Sequence, residues 1–181
     1  MKAIATDPNI RMVIDFVLPV VRERKRRPSV HENGFIQLPL LNPFYRLHVW
    51  PDGPITHQKT ASPIHDHRFD FASLIITGSL DNITYAPVPN VDGEYQQHIV
   101  VDGKLQPTDA FLDVTRIGVD HYEPGGFYTF SAYMLHETKW YELSASVIRK
   151  TASYDKFPPR VLCKRDEPPD NDYDRRDEAE H

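Results

Sequence analysis

The stretch that decides the reading of this chain is PIHDHRFDFASLIITG, residues 63–78. Phe69, Phe71, Ser73 and Ile75 alternate with Asp70, Ala72, Leu74 and Ile76, and Pro63 and Gly78 bound the run. A short, mostly apolar run rich in β-branched and aromatic residues between two breakers reads as a buried β-strand. On a strand, side chains at i and i+2 leave the same face. His65 and His67 then project together, and the face they open continues as Phe69, Phe71, Ser73 and Ile75. Two imidazoles so placed can reach one ion, each at about 2.0–2.1 Å. The plainer alternative is a pair of solvent-facing histidines at the start of a strand.

Composition narrows what such a pair can serve. The chain has 181 residues, 40% of them apolar and 11% aromatic, enough for one domain with a real core. Nine histidines accompany one cysteine, Cys163, so a disulfide framework and a Cys-based zinc site are both excluded. Any metal must be held mainly by histidine. The net charge of −5 hides two opposed runs. Arg22–Arg27 (RERKRR) is basic, whereas Lys164–His181 is mostly acidic. No basic face is broad enough for a nucleic-acid footprint. No run approaches the ~18 apolar residues of a membrane span. The apolar stretch Met12–Val21 is broken by Asp15 and Pro19 and lacks the preceding charges of a secretory signal. The expected location is cytoplasmic.

Outward from residues 63–78, the chain divides into three parts. Residues 1–27 hold an expected helix: Asp7 caps it, Pro8 opens it, and Ile10, Val13, Ile14, Val17, Leu18 and Val21 recur at helical spacing up to the basic run. Residues 28–157 are the expected β-barrel. Its strands are read at Gly34–Leu41, Phe44–Trp50, Arg68–Thr77, Asn82–Pro87, Tyr95–Val101, Gly126–Phe130 and Tyr141–Lys150. Turn signals such as Asp102-Gly103 and Pro124-Gly125-Gly126 separate them. Residues 158–181 are Pro-rich and acidic, read as a surface strap followed by a disordered tail. Many short strands at regular intervals imply a mostly β fold of sandwich or barrel type.

His136, in GFYTFSAYMLHETKW with Gly125 eleven residues before it, supplies a third ligand candidate. With these residues the sequence resembles the cupin superfamily. That family's first motif places H-x-H five residues after a Gly, then a Glu three or four residues on, then a Gly. Its second places a His behind a Gly and a P-x-G turn. His65, His67 and Gly78 fall at the first motif's spacings, and Gly125 and His136 at the second's. The chain departs from the pattern elsewhere. Lys59 stands for the leading Gly, Phe71 or Ala72 for the Glu, Ser131 and Tyr133 for the Pro and Gly, and Trp140 for a closing Asn. The span Ser79–Pro124 is long and suggests an added hairpin from Tyr95–Val101 and Lys104–Leu112.

The resemblance implies a single cupin-type double-stranded β-helix barrel, over roughly residues 34–150, with an N-terminal helix. It also implies metal ligation by His65, His67 and His136. Lacking the Glu ligand, the three-histidine pattern resembles cupins of the cysteine and thiol dioxygenase type, which share an IHDH element. Such a site leaves an ion its full +2 charge and open positions, which favours an anionic, chelating substrate. Fe(II) is the expected metal and O2 the co-substrate, although three histidines equally suit Zn(II), Ni(II), Mn(II) or Cu(II). The alternatives are a non-redox Zn or Mn cupin, an isomerase or hydrolase, and a non-catalytic small-ligand binder. The 2-oxoglutarate oxygenase barrel fits less well, because it uses H-x-D where this chain has H-x-H.

Around the ion, Arg46 and His48 share one face of their strand, and Tyr45, Leu47 and Val49 share the other. If the polar face lines the cavity, Arg46 is a substrate-carboxylate contact and His48 a proton carrier. Otherwise both face solvent. Arg149, on the last strand, is the other candidate for a catalytic or anion-binding role, against a surface ion pair. Phe71 and Tyr128 are the apolar candidates for substrate contact. Asp66 and Asp70 are read as hydrogen-bonding groups behind the ligands. His31, His57, His98, His121 and His181 default to surface roles. A homodimer through the N-terminal helix or Gly34–Leu41 is expected, with no nucleic-acid or membrane partner.

Overall fold

The computed structural model describes residues 28–31, 33–40, 42–52 and 63–167. The helix expected within residues 1–27, the basic run, His57, Lys59, and the chain from residue 168 to 181 lie outside the described residues. Among the described residues there is no α-helix. No helix of the structure is long and apolar enough to cross a membrane.

Eleven strands make two antiparallel sheets. They are β1 (Ser29–His31), β2 (Phe35–Pro39), β3 (Tyr45–Trp50), β4 (Phe69–Thr77), β5 (Leu80–Pro89), β6 (Tyr95–Val101), β7 (Lys104–Tyr122), β8 (Phe127–Phe130), β9 (Leu135–Trp140), β10 (Ser144–Ser153) and β11 (Arg160–Lys164). The first sheet runs β1-β2-β3-β10-β4-β8, and the second β11-β6-β7-β5-β9. The expected extra hairpin is present as β6–β7. Its two-residue turn, Asp102-Gly103, has φ of 49° and 73°. Two positive φ values in succession mark the type I′ turn that matches strand twist, which is why an Asp-Gly pair sits there.

Alternation along β4 decides where the site forms. Phe71 and Ile75 point between the sheets and join Phe35, Trp50, Tyr128, Phe130 and Ile148 of the first sheet with Leu80 of the second. Tyr122 and Trp140 of the second sheet pack against this cluster. The other face of the first sheet carries its own cluster of Leu38, Leu40, Leu47, Ile76 and Ala145. That division is the period-2 pattern read from residues 69–76.

Gly78 ends β4 with φ +68°. A Cβ there would meet Leu143 O at 2.4 Å and Ser144 Oγ at 2.3 Å. The position therefore demands glycine on both backbone and steric grounds.

Three segments depart from the sequence reading. β7 runs on to Tyr122, although many of its residues from Thr115 onward are exposed and polar, so no apolar alternation announces it. β9, which carries His136, is a strand of its own. β11 pairs with β6 and buries Val161, Leu162 and Cys163, so the sheet continues beyond residue 157, where the expected barrel stops.

Candidate metal centre

His65 and His67 sit just before β4, in a segment held on both sides by backbone hydrogen bonds. His65 N–H donates to His136 O and His136 N–H to His65 O, both at 2.9 Å. On the other side, Leu162 N–H donates to Ile64 O at 2.9 Å and Asp66 N–H to Arg160 O at 3.0 Å. The segment thus bridges β9 and β11, the two edge strands of the second sheet. Tyr133 N–H adds a bond to His67 O at 2.8 Å. Three chain segments that are remote in sequence are locked together at the backbone before any side chain is considered.

Their imidazoles converge. One donor nitrogen from each of His65, His67 and His136 lies within 4.8 Å of the other two. His67 Nε2 and His136 Nε2 are 3.2 Å apart. Two nitrogens bound to one ion at about 2.1 Å, with an angle near 100°, have roughly this separation. The buried His136 directs Nδ1–H to Asn82 Oδ1 at 2.8 Å, which leaves the Nε2 lone pair for the ion. His65 Nδ1 lies 2.9 Å from Pro63 O and likewise leaves Nε2. The Asn33 amide nitrogen lies over the same ring, 3.2 Å from Nδ1 and 3.4 Å from Nε2, so an ion and this amide share one approach to His65. Burial, then the neighbouring His65, holds the His136 pKa well below the ordinary range, which keeps its ring in the neutral form a metal needs. The donor set fits a divalent ion with three neutral nitrogen ligands.

Asp66 does not ligate. Its buried carboxylate accepts Arg160 N–H at 2.6 Å on Oδ1 and Arg160 Nε–H at 2.6 Å on Oδ2. Arg160 Nη2 donates to Tyr133 O at 2.9 Å. Burial raises the Asp66 pKa, with Arg160 pulling the other way. Asp70 accepts Ala132 N–H at 2.7 Å and the Tyr154 hydroxyl at 2.8 Å. Both aspartates play the supporting part expected of them. Tyr133, where the resembling family has glycine, keeps a left-handed backbone, φ 61°. Its hydroxyl is tied to Tyr154 O at 3.2 Å.

The three imidazoles border a cavity of about 250 Å³. Five aromatic side chains also line it: Phe35, Trp50, Phe71, Tyr128 and Trp140. Phe71 sets its ring edge-on to His67 at 5.6 Å. Tyr128 is buried, and its pKa is pushed up to about 12, chiefly by desolvation, with the Ser73 hydroxyl opposing the shift. His48 lines the cavity too, and burial together with the charges of Arg46 and Lys150 lowers its pKa to about 3.

Two expected contacts are not at the cavity. Arg149 is exposed, with its guanidinium 5.8 Å from the Tyr45 ring on the outer face of the first sheet, because it alternates with the inward Ile148. Arg46 shares the β3 face of His48 but donates to Gln37 Oε1 at 3.1 Å and does not border the cavity. Among the described residues no Lys, Arg, Asp or Glu lines it.

The other histidines divide. His98 is buried on β6, against the expected surface role, because it faces the Val161 side of the β6–β11 pairing. His121 is exposed and pairs with Asp81 at 2.6 Å. His31 stacks on Phe35 at a ring distance of 4.3 Å. Asn82, Asn33, Arg160 and the two tryptophans were missed by sequence reasoning. The one available signal was period 2 along β5, which puts Leu80, Asn82 and Thr84 on one face, with Thr84 paired to His136.

No protein-family model and no curated protein matches the chain. Solved structures with partial likeness include hydroquinone 1,2-dioxygenase from Sphingomonas sp. TTNP3 with 4-hydroxybenzoate bound. It is 11% identical over 60% of this chain and 60% of that chain, with a TM-score of 0.37. Another is hydroxypropylphosphonic acid epoxidase from S. wedmorenis, 9% identical over 70% of this chain and 56% of that chain, also with a TM-score of 0.37. The chain therefore spans well under two thirds of either. Likeness at this level transfers no activity. The class is defined by the molecule's own features: a mostly β, two-sheet antiparallel protein with a three-histidine group between its sheets.

Proposed function

We propose that this chain is a metal-dependent cupin enzyme, a mononuclear non-haem Fe(II) dioxygenase acting on a small molecule. The observation that carries the reading is the convergence of three buried or half-buried imidazoles, two of them with Nδ1 beside a carbonyl acceptor, on a cavity lined mostly by apolar and aromatic side chains. Three imidazoles from remote chain segments brought together in a largely apolar chamber make a donor set that a cation fits. His65, His67 and His136 are the ligands. A bound Fe(II) would supply a Lewis-acidic centre with open positions for substrate and O2.

The protein does the rest. Asn82 and the Pro63 carbonyl orient the ligand rings. Phe71 occupies the space of a fourth, charged ligand and leaves the positive charge of the site uncancelled. The aromatic walls exclude water and strengthen every electrostatic contact made inside.

The test is elemental analysis of the full chain purified without added metal, followed by oxygen uptake in the presence of candidate small molecules. Near-stoichiometric iron with O2 consumption supports the reading. Tightly held zinc with no O2 consumption replaces it by a non-redox cupin. Metal content unchanged in His67→Ala and His136→Ala overturns both.

A further inference from the structure

His48 is an unusual group to find in this wall. It lines the cavity, is half-buried, and makes no hydrogen bond among the described residues. Its Nε2 is one of three buried side-chain polar atoms left without a partner among the described residues. The other two, Ser73 Oγ and Ser146 Oγ, lie on the neighbouring strands β4 and β10 of the same sheet. Ser146 is directly opposite His48 in the β3–β10 pairing. Cβ atoms of such cross-strand partners are roughly 4.5–5.5 Å apart, so the serine hydroxyl can turn toward Nε2. The imidazole then carries its proton on Nδ1 and offers the cavity a donor. Leaving a buried polar group unpaired is costly, so an imidazole with a buried unpaired nitrogen in the wall of a cavity marks where a partner belongs.

We propose that His48 is the polar anchor for the end of the substrate remote from the metal, and that the substrate is a small, flat, uncharged molecule. Its body stacks in the box of Phe35, Trp50, Phe71, Tyr128 and Trp140, and a hydroxyl or carbonyl oxygen accepts from His48. A hydroxyl at its other end approaches the three histidines. The metal end of this assignment rests on the function proposed above, and the His48 end does not. An anionic substrate clamped by arginine is disfavoured, because Arg149 points outward and Arg46 is engaged with Gln37.

Both tryptophans of the chain, Trp50 and Trp140, line this cavity, so intrinsic fluorescence reports its occupancy directly. Phenol titrated into the metal-free full chain probes the His48 end alone. Catechol and glycolate titrated into the zinc-loaded chain compare an uncharged with an anionic chelator. The expected result is saturable quenching by phenol that weakens about fivefold to tenfold in His48→Leu, the loss of one hydrogen bond. Ser146→Ala should weaken it less, and His48→Gln, which keeps a donor, should restore most of the affinity. The midpoint of thermal unfolding should change little in His48→Leu, which separates lost binding from lost folding. Phenol binding with equal affinity to wild type and His48→Leu, or no saturable quenching at all, overturns the proposal. So does glycolate binding more tightly than catechol. Failure to bind zinc stoichiometrically overturns the metal reading while leaving the phenol result to stand by itself.

Discussion

Replacing Asp66 should loosen the metal centre without touching a ligand. The Asp66 side chain is fully buried, and it accepts two hydrogen bonds of 2.6 Å from Arg160, one from the backbone and one from the guanidinium. Arg160 in turn holds Tyr133 O, and Tyr133 N–H holds His67 O. His65 lies between Ile64 and Asp66 and is paired at the backbone with His136. One clamp therefore fixes the chain around all three ligands. Asp66→Ala leaves two Arg160 donors without an acceptor and opens a void, and breaking a buried pair in this way destabilises by about 3–5 kcal/mol. Asp66→Asn keeps the shape and one acceptor oxygen but turns an NH2 toward the second Arg160 donor, so it should lose less than the alanine, about 1–3 kcal/mol. Groups that orient ligands from behind typically account for a tenfold to hundredfold change in metal affinity. Urea unfolding of the metal-free variants measures the first quantity, and zinc competition with a chelating dye the second. A loss under about 1 kcal/mol in Asp66→Ala, with zinc affinity within about twofold of wild type, would refute the clamp.

Other perturbations address the site separately. Asn82→Ala removes the acceptor that orients His136, and zinc affinity should fall about tenfold to a hundredfold, read by the same competition. The His48 pKa is lowered on folding to about 3. The unfolded chain then binds the extra proton between pH 6.5 and 3, so metal-free stability should fall by about 1.4 kcal/mol per unit as pH drops through that window. Denaturant titrations at several pH values should show a shallower slope in His48→Leu, and parallel slopes would contradict the burial argument. Gly78→Ala forces a left-handed alanine whose Cβ meets Leu143 O at 2.4 Å, and a loss of about 3 kcal/mol is expected in unfolding experiments.

How much of this was legible beforehand depends on what kind of interaction carries each feature. The alternation of residues 69–76 and the Asp102-Gly103 turn are local signals, and the structure has a strand and a type I′ hairpin in those places. His65 and His67 could be paired by spacing alone, and His136 joined them only through the motif resemblance. Arg46 and Arg149 illustrate the limit. Period 2 says that Arg149 opposes Ile148 across its strand, but not which of the two faces the interior. That is settled by the partner sheet, which sequence does not display. Asn82 and Arg160 were invisible for a different reason: each meets the site through a contact spanning more than fifty residues. β11 was hidden because its flanks, Pro158-Pro159 and the acidic stretch after Lys164, look like those of a disordered tail.

The substitution at position 71 connects the ligand set to the choice of substrate. A glutamate there would have cancelled part of the ion's charge and filled a coordination position. Phe71 does neither, and the described cavity wall contains no acid that could take over. A divalent ion held by three neutral imidazoles in such a chamber would keep its +2 charge in largely apolar surroundings. A ligand that passes the aromatic walls without shedding a tight hydration shell enters such a chamber at least cost. Alcohols and phenols do this, whereas a carboxylate must be stripped of water before it enters. The aromatic walls and the His48 imidazole thus favour the same molecule, one that enters uncharged and accepts a hydrogen bond.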